Sequence, residues 1–187
     1  MALILAAGCA APRASTPPVD SALRVSISLA DAARVGRRSP PLVAQYVTKD
    51  GMGPAEQQFD LQRELGRVVV TVFCRSIAEP DCPVAWTTLR ARHDEIFGSD
   101  VVVVGVSTDP PERQMLFLQQ LDARYKFLSD RSGEIRRRFG FAHIAASTSV
   151  LVIGRDGRVR YVDARLPIGD PERMSTLVKA VHAAKEQ

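Results

Sequence analysis

No apolar run in this sequence approaches the roughly 20 residues that a membrane-spanning helix requires. Cysteine is scarce: three among 187 residues, too few for a small fold stapled by disulfides. Charge is close to balanced, at a formal +4, with short basic clusters at Arg37-Arg38 and Arg136-Arg137-Arg138. The first cluster falls in a Pro-rich loop, and the second reads as the solvated face of a helix. Aromatic and basic residues do not interleave and no reader motif occurs, which argues against nucleic acid as a partner. Internal repeats are absent too. What is present is a 45% hydrophobic composition, enough for one globular domain with a core and some extra chain.

The extra chain lies at the N-terminus. Leu5-Ala-Ala-Gly8 followed by Cys9 resembles the lipobox of bacterial lipoproteins, with alanine in place of the usual leucine three residues before the cysteine. That resemblance implies lipid on Cys9, a periplasm-facing place in the cell envelope, and membrane contact through the lipid alone. Residues 10–41 hold Pro12, Pro17, Pro18, Pro40 and Pro41 among Ser, Thr and Ala. They read as a linker, with a short ordered piece over 23–33. The expected division is a signal remnant at 1–9, a linker at 10–41 and a folded domain at 42–187.

The domain is organised around residues 67–97. Arg67-Val-Val-Val-Thr-Val-Phe-Cys74 is a β-branched apolar run, suited to a strand buried on both faces. After the loop Arg75-Ser-Ile-Ala-Glu-Pro-Asp81, apolar positions fall at Ala85, Trp86, Leu89, Ile96 and Phe97, a helical spacing. Asp81 suits the N-cap, and Pro83 is tolerated in a first turn. Cys82 therefore sits where a central strand passes into a helix N-terminus. Unpaired N–H groups and the helix dipole favour a thiolate there, the reactive form of cysteine.

Other elements follow from the same periodicities. Residues 42–48 suit a first strand before a Lys49-Asp50-Gly51 turn, and 101–109 hold a second buried strand. A helix starts at Pro110-Pro111-Glu112, and a short one covers 133–139. Residues 149–153 form a third long strand, Arg155-Asp156-Gly157 a hairpin turn, and 170–184 a closing amphipathic helix. This order predicts an α/β thioredoxin-like fold, a central mixed sheet flanked by helices, with an insert around 110–140. Residues 68–73, 101–106 and 149–153 should then be neighbouring central strands.

Over about residues 42–185 the sequence resembles the redoxin group, comprising peroxiredoxins of the AhpC/TSA kind and their Sco-like and TlpA-like relatives. The segments that carry the resemblance are Val103-Val-Gly-Val-Ser-Thr-Asp109, Phe127-Leu-Ser-Asp-Arg-Ser-Gly-Glu134 through Arg138-Phe-Gly140, and Val152-Ile-Gly-Arg-Asp-Gly157-Arg-Val-Arg-Tyr161. The resemblance implies a thiol-dependent oxidoreductase without a cofactor, reducing peroxide or disulfide substrates through Cys82 and recharged by a thiol electron donor. Around Cys82 the family pattern is altered. Arg75 stands at the usual proline, Glu79 at the usual threonine, and Thr148 near the usual arginine.

Two other readings stay open. Pro80-Asp81-Cys82-Pro83 echoes the copper motif of Sco-like chaperones, with Ala78 at its first cysteine and Cys74 and His143 as substitute donors for copper. A non-catalytic thioredoxin-fold domain is the other. Thioredoxin-type exchange lacks both its C-x-x-C and its usual proline before 149–153.

Cys74 reads as a strand-end residue that behaves as a small hydrophobe. Whether it comes within disulfide range of Cys82 is not fixed by spacing. Trp86 reads as packing, His93 as a hydrogen-bonded core histidine, His143 as a surface loop residue and His182 as a solvated helix position. Glu79 is expected to reach the sulfur of Cys82 and oppose its ionisation, unless Arg75 folds back to compensate.

Overall fold

The structure, a computed structural model, describes residues 33–142, 148–166 and 169–187. Cys9, the linker as far as residue 32, and His143 lie outside them. In chain order the elements are β1 (Val43–Ala44), β2 (Tyr46–Thr48), β3 (Gly51–Met52), β4 (Phe59–Asp60), a 3-10 turn (Leu61–Glu64), β5 (Val68–Cys74), α1 (Asp81–Ala91) and α2 (His93–Ile96). Then follow β6 (Val101–Ser107), α3 (Pro111–Leu121), β7 (Lys126–Ser129), α4 (Glu134–Arg138), β8 (Thr148–Ile153), β9 (Val159–Asp163) and α5 (Pro171–Lys185).

The main sheet runs β3-β2-β7-β6-β5-β8-β9. β5 and β6 are parallel, β6 and β7 are parallel, and β8 lies antiparallel to β5 on its other side. The three strands expected to be neighbours are therefore adjacent at the centre of a mixed sheet. Every residue of β5, β6 and β8 is buried, as continuous β-branched runs require when both faces are covered.

Alternation along β5 assigns its side chains to two cores. Val68, Val70, Val72 and Cys74 pack on one face with Trp86 and Leu89 of α1, Leu118 of α3 and Leu177 of α5. Val69 and Phe73 pack on the other with Leu42, Phe59, Ile135, Phe139 and Phe141. Gly105 in β6 leaves room for the ring of Phe127, its partner on the neighbouring strand β7, since a Cβ there would lie 2.5 Å from that ring.

Five local expectations change. The first strand divides: β1 pairs with β4 and β2 with β7, so Gln45 separates two different partners. The long helix after Cys82 breaks at Arg92, whose φ of −107° and ψ of 20° leave the helical region. Pro80, not Asp81, occupies the N-cap, and Asp81 is the first helical residue.

Residues 33–41 are not free linker. Gly36 N–H donates to Val159 O, Val159 N–H to Arg37 O and Ser39 N–H to Gly157 O, and Ala33 is buried. The hairpin edge needs backbone partners, and this segment supplies them. Arg136, finally, is buried at 5% exposure, whereas Arg137 and Arg138 pair with Glu134 at the surface. The N–H groups of Ile135 and Arg136 donate to the Asp130 carboxylate, which seats the first turn of α4 against the sheet.

Candidate active site

Cys74 ends β5 and Cys82 occupies the first turn of α1. Both are fully buried, and they form a disulfide with their Cα atoms 5.8 Å apart. The reading of Cys74 as a mere hydrophobe is thus corrected. Cys74 has the parity of Val68, Val70 and Val72, so it points to the face that α1 covers. There the helix entry brings Cys82 down onto it. Directly across the ladder from Cys74 stands Thr148, buried and uncharged, where the family's arginine was expected.

The intervening loop is held from β6. Thr108 donates through its N–H (3.2 Å) and its hydroxyl (2.6 Å) to the carbonyl of Arg75. Two residues beyond the end of β6, Asp109 is buried at 4% exposure. Its Oδ2 accepts the Ile77 N–H at 2.6 Å, and its Oδ1 accepts the Ser76 hydroxyl at 3.0 Å. Arg113 reaches the same Oδ1 at 3.4 Å, and Ser129 donates to the Asp109 carbonyl at 2.7 Å. From there the loop turns on itself: Glu79 N–H donates to Ser76 O, and Cys82 N–H donates to Glu79 O at 3.0 Å. Sequence reading singled out none of Ser76, Thr108 and Asp109 for this role. The available signal was Asp109 itself, an acid two residues past a strand that is apolar from Val101 to Val106.

At the loop, Arg75 and Glu79 are paired, one of the two arrangements left open by the sequence. Arg75 Nε donates to Glu79 Oε1, and this pairing holds the guanidinium pKa above its ordinary value. Arg75 thus lies against the carboxylate that was expected to oppose a Cys82 thiolate. Arg136 lies within electrostatic range of both: burial pushes its pKa down, Arg75 adds to that, and Asp130 and Glu79 act against it. Its Nη2 donates to Phe141 O, while Nη1 is buried without a partner.

Other candidates lie elsewhere. Trp86 is fully buried, with ring centroids 5.2 Å from Tyr125 and 4.7 Å from Phe127, so it packs as expected. His93 Nδ1 is 3.0 Å from the Tyr125 hydroxyl, and burial pushes Tyr125 up to about 12. His182 Nε2 lies 3.0 Å from Glu95 O at an exposed position. A cavity of about 660 Å³, lined by Lys49, Arg90, His93, Asp122 and Tyr125 among others, opens beside the far end of α1 from Cys82. For copper, the disulfide occupies both candidate sulfurs, and His143 is outside the described residues. No group of three or more His, Cys, Asp or Glu gathers at metal-binding range among the described residues.

A central β5 between parallel β6 and antiparallel β8, with a cysteine pair where β5 enters α1, defines a thioredoxin-like domain of the redoxin class. The AhpC/TSA family model matches residues 35–162, more than half of the chain, and the protein belongs to that family. Peroxiredoxin Bcp of Escherichia coli K12 is 31% identical over 84 residues, which are 45% of this chain and 54% of the relative. The chain thus spans about half the length of the curated relatives it matches.

Among solved structures, Peroxidoxin BcpB from Mycobacterium tuberculosis aligns at a TM-score of 0.64 and 20% identity, over 81% of this chain and 97% of that one. AhpC from Enterococcus faecalis aligns at 0.66 and 14% identity, over 82% and 93%. A putative thiol:disulfide interchange protein DsbE from Chlorobium tepidum aligns at 0.64 and 21%, over 82% and 99%. At such identities these likenesses establish the fold.

Proposed function

We propose that Cys82 and Cys74 are a redox couple through which the protein reduces peroxide or disulfide substrates at the expense of a thiol donor. One observation carries this reading: the fold brings the two cysteines together across the strand-to-helix junction, with Cα atoms 5.8 Å apart. Membership of the AhpC/TSA family supports it.

Cys82 is the attacking residue, because its place in the first turn of α1 favours a thiolate once the disulfide is open. With a hydroperoxide, the Cys82 thiolate attacks the O–O bond. Sulfur takes the terminal oxygen as sulfenic acid, and the other oxygen takes a proton and leaves as an alcohol, or as water from hydrogen peroxide. Cys74 then attacks the Cys82 sulfur, the disulfide forms and water leaves. Two thiols of the donor return both cysteines to the reduced state and become a disulfide themselves.

The test uses reduced protein and one equivalent of hydroperoxide, read by thiol titration and peptide mass mapping. The wild type should yield the Cys74–Cys82 cross-link. Cys82→Ser should consume no peroxide at these sites. Cys74→Ser should consume it and leave a sulfenic acid that dimedone captures. Identical behaviour of wild type and Cys82→Ser would overturn the assignment.

A further inference from the structure

We infer that Asp109 is a positioning residue that sets the equilibrium of the cysteine couple, by clamping the loop that joins Cys74 to Cys82. This rests on the reading of those cysteines as a redox couple. A dithiol closes according to the effective concentration of one sulfur at the other, which the freedom of the connecting chain controls. Here that chain spans a sequence separation of eight, and its first three residues are tied to the β6 exit by hydrogen bonds from or to each. Arg75 is held through its carbonyl by Thr108, Ser76 through its hydroxyl by Asp109, and Ile77 through its N–H by Asp109.

Asp109 is suited to this work for three reasons. Its side chain is 3% exposed, so its hydrogen bonds are shielded from competing water. Both carboxylate oxygens accept from the loop, and bonds to an ionised acceptor are stronger than neutral ones. Its own backbone is fixed from a third strand, because Ser129 at the end of β7 donates to the Asp109 carbonyl. The clamp therefore hangs from the sheet and not from the loop it restrains. Asparagine would keep one acceptor oxygen in place of two, and would bring an NH₂ against groups that already donate.

Asp130 provides a matched comparison. It is an equally buried aspartate, 3% exposed, at the end of the next strand. Its two carboxylate oxygens also accept one hydrogen bond each, but from the backbone N–H groups of Ile135 and Arg136 in α4, not from the cysteine loop.

The experiment equilibrates the full chain in glutathione buffers of graded ratio, then quenches by alkylation and counts closed and open couples by mass. Asp109→Asn should lower the closing equilibrium constant about tenfold, which is about 30 mV towards a more oxidising potential. Ser76→Ala, which removes the hydroxyl's bond to Asp109 and the one it accepts from Ala78 N–H but keeps the carboxylate and its bond to Ile77 N–H, should shift it in the same direction by about threefold. Asp130→Asn should lower thermal stability and leave the constant unchanged. After stoichiometric peroxide, dimedone should capture more Cys82 sulfenic acid in Asp109→Asn than in the wild type, because Cys74 closes more slowly.

Equal constants for wild type and Ser76→Ala, or an equal shift in Asp130→Asn, would overturn the clamp; the first holds even if Asp109→Asn fails to fold. A wild type that does not interconvert between dithiol and disulfide would sink the couple itself, and the clamp with it. The two failures are told apart by the wild-type titration alone.

Discussion

The two ends of the sheet solve different problems. At the end where β5, β6 and β7 finish, buried aspartates bind backbone N–H groups, loops are short and the cysteine pair is closed off from solvent. At the opposite end a cavity of about 660 Å³ is lined by charged side chains, tied by exposed ion pairs such as Lys49–Asp122 and Arg92–Glu95. Size favours the second as a site; chemistry favours the first. A thiol couple needs two sulfurs held at a fixed separation, and buried hydrogen bonds hold position better than surface ion pairs, which contribute little and are screened by salt. In this protein that cavity is not where the reactive groups are.

Trp86 is where the two ends meet, so its removal tests whether they are one cooperative unit. Its ring lies between α1, which carries Cys82, and the Tyr125 and Phe127 rings that back the cavity end. Trp86→Ala should cost about 3–5 kcal/mol of unfolding free energy, from lost burial plus the cavity left behind. Urea unfolding should remain a single transition whether followed by far-UV dichroism or by alkylation of cysteines. Two separated transitions would mean that the ends unfold independently, and the comparison would break.

A smaller effect separates the ends. Opening the disulfide restores freedom to a loop of sequence separation eight, which chain-entropy reasoning values at about 2–3 kcal/mol. The reduced wild type should therefore unfold at lower urea than the oxidised form. Hydrogen exchange should rise first at Ile77 and Cys82, whose N–H groups bond to Asp109 and to Glu79 O, while exchange around Tyr125 stays unchanged. Equal acceleration at both ends would show that the disulfide supports the whole sheet and not the loop alone.

What the sequence revealed tracks how local the cause is. The strand order, the central β5 and the placement of Cys82 at a helix entry all follow from apolar periodicity and a turn, which are read within about ten residues. The cysteine pairing needed one step more. Counting by twos from Val68 puts Cys74 on the α1 face, and that parity was available, but the closeness of Cys82 depends on a loop folded back by Asp109, 27 residues further along. Arg136 misled for a similar reason. Three arginines in a row read as a solvated face, yet α4 is only five residues long, and Asp130 seats its first turn on the sheet. Side chains placed by a partner in another element leave little trace in their own neighbourhood.

The smallest expected effect concerns the ion pair over the loop. Glu79 lies three residues before Cys82 and is paired with Arg75, whose side chain is largely exposed. Arg75→Ala frees the carboxylate. A like charge near a thiol favours its protonated form, so the Cys82 pKa should rise and the thiolate should appear only at higher pH. In reduced protein, iodoacetamide alkylation of Cys82 at neutral pH should slow by about threefold, within the range of exposed pairs. Added salt should shrink the difference, because screening acts on exposed charges. Glu79→Gln alone should change the profile less, since the charge it removes is already balanced, and the double variant should return to near the wild-type profile. If Arg75→Ala leaves the alkylation profile in place at low salt, the pair does not act on the sulfur. The helix N-terminus then sets the reactivity of Cys82 without help from the loop's charges.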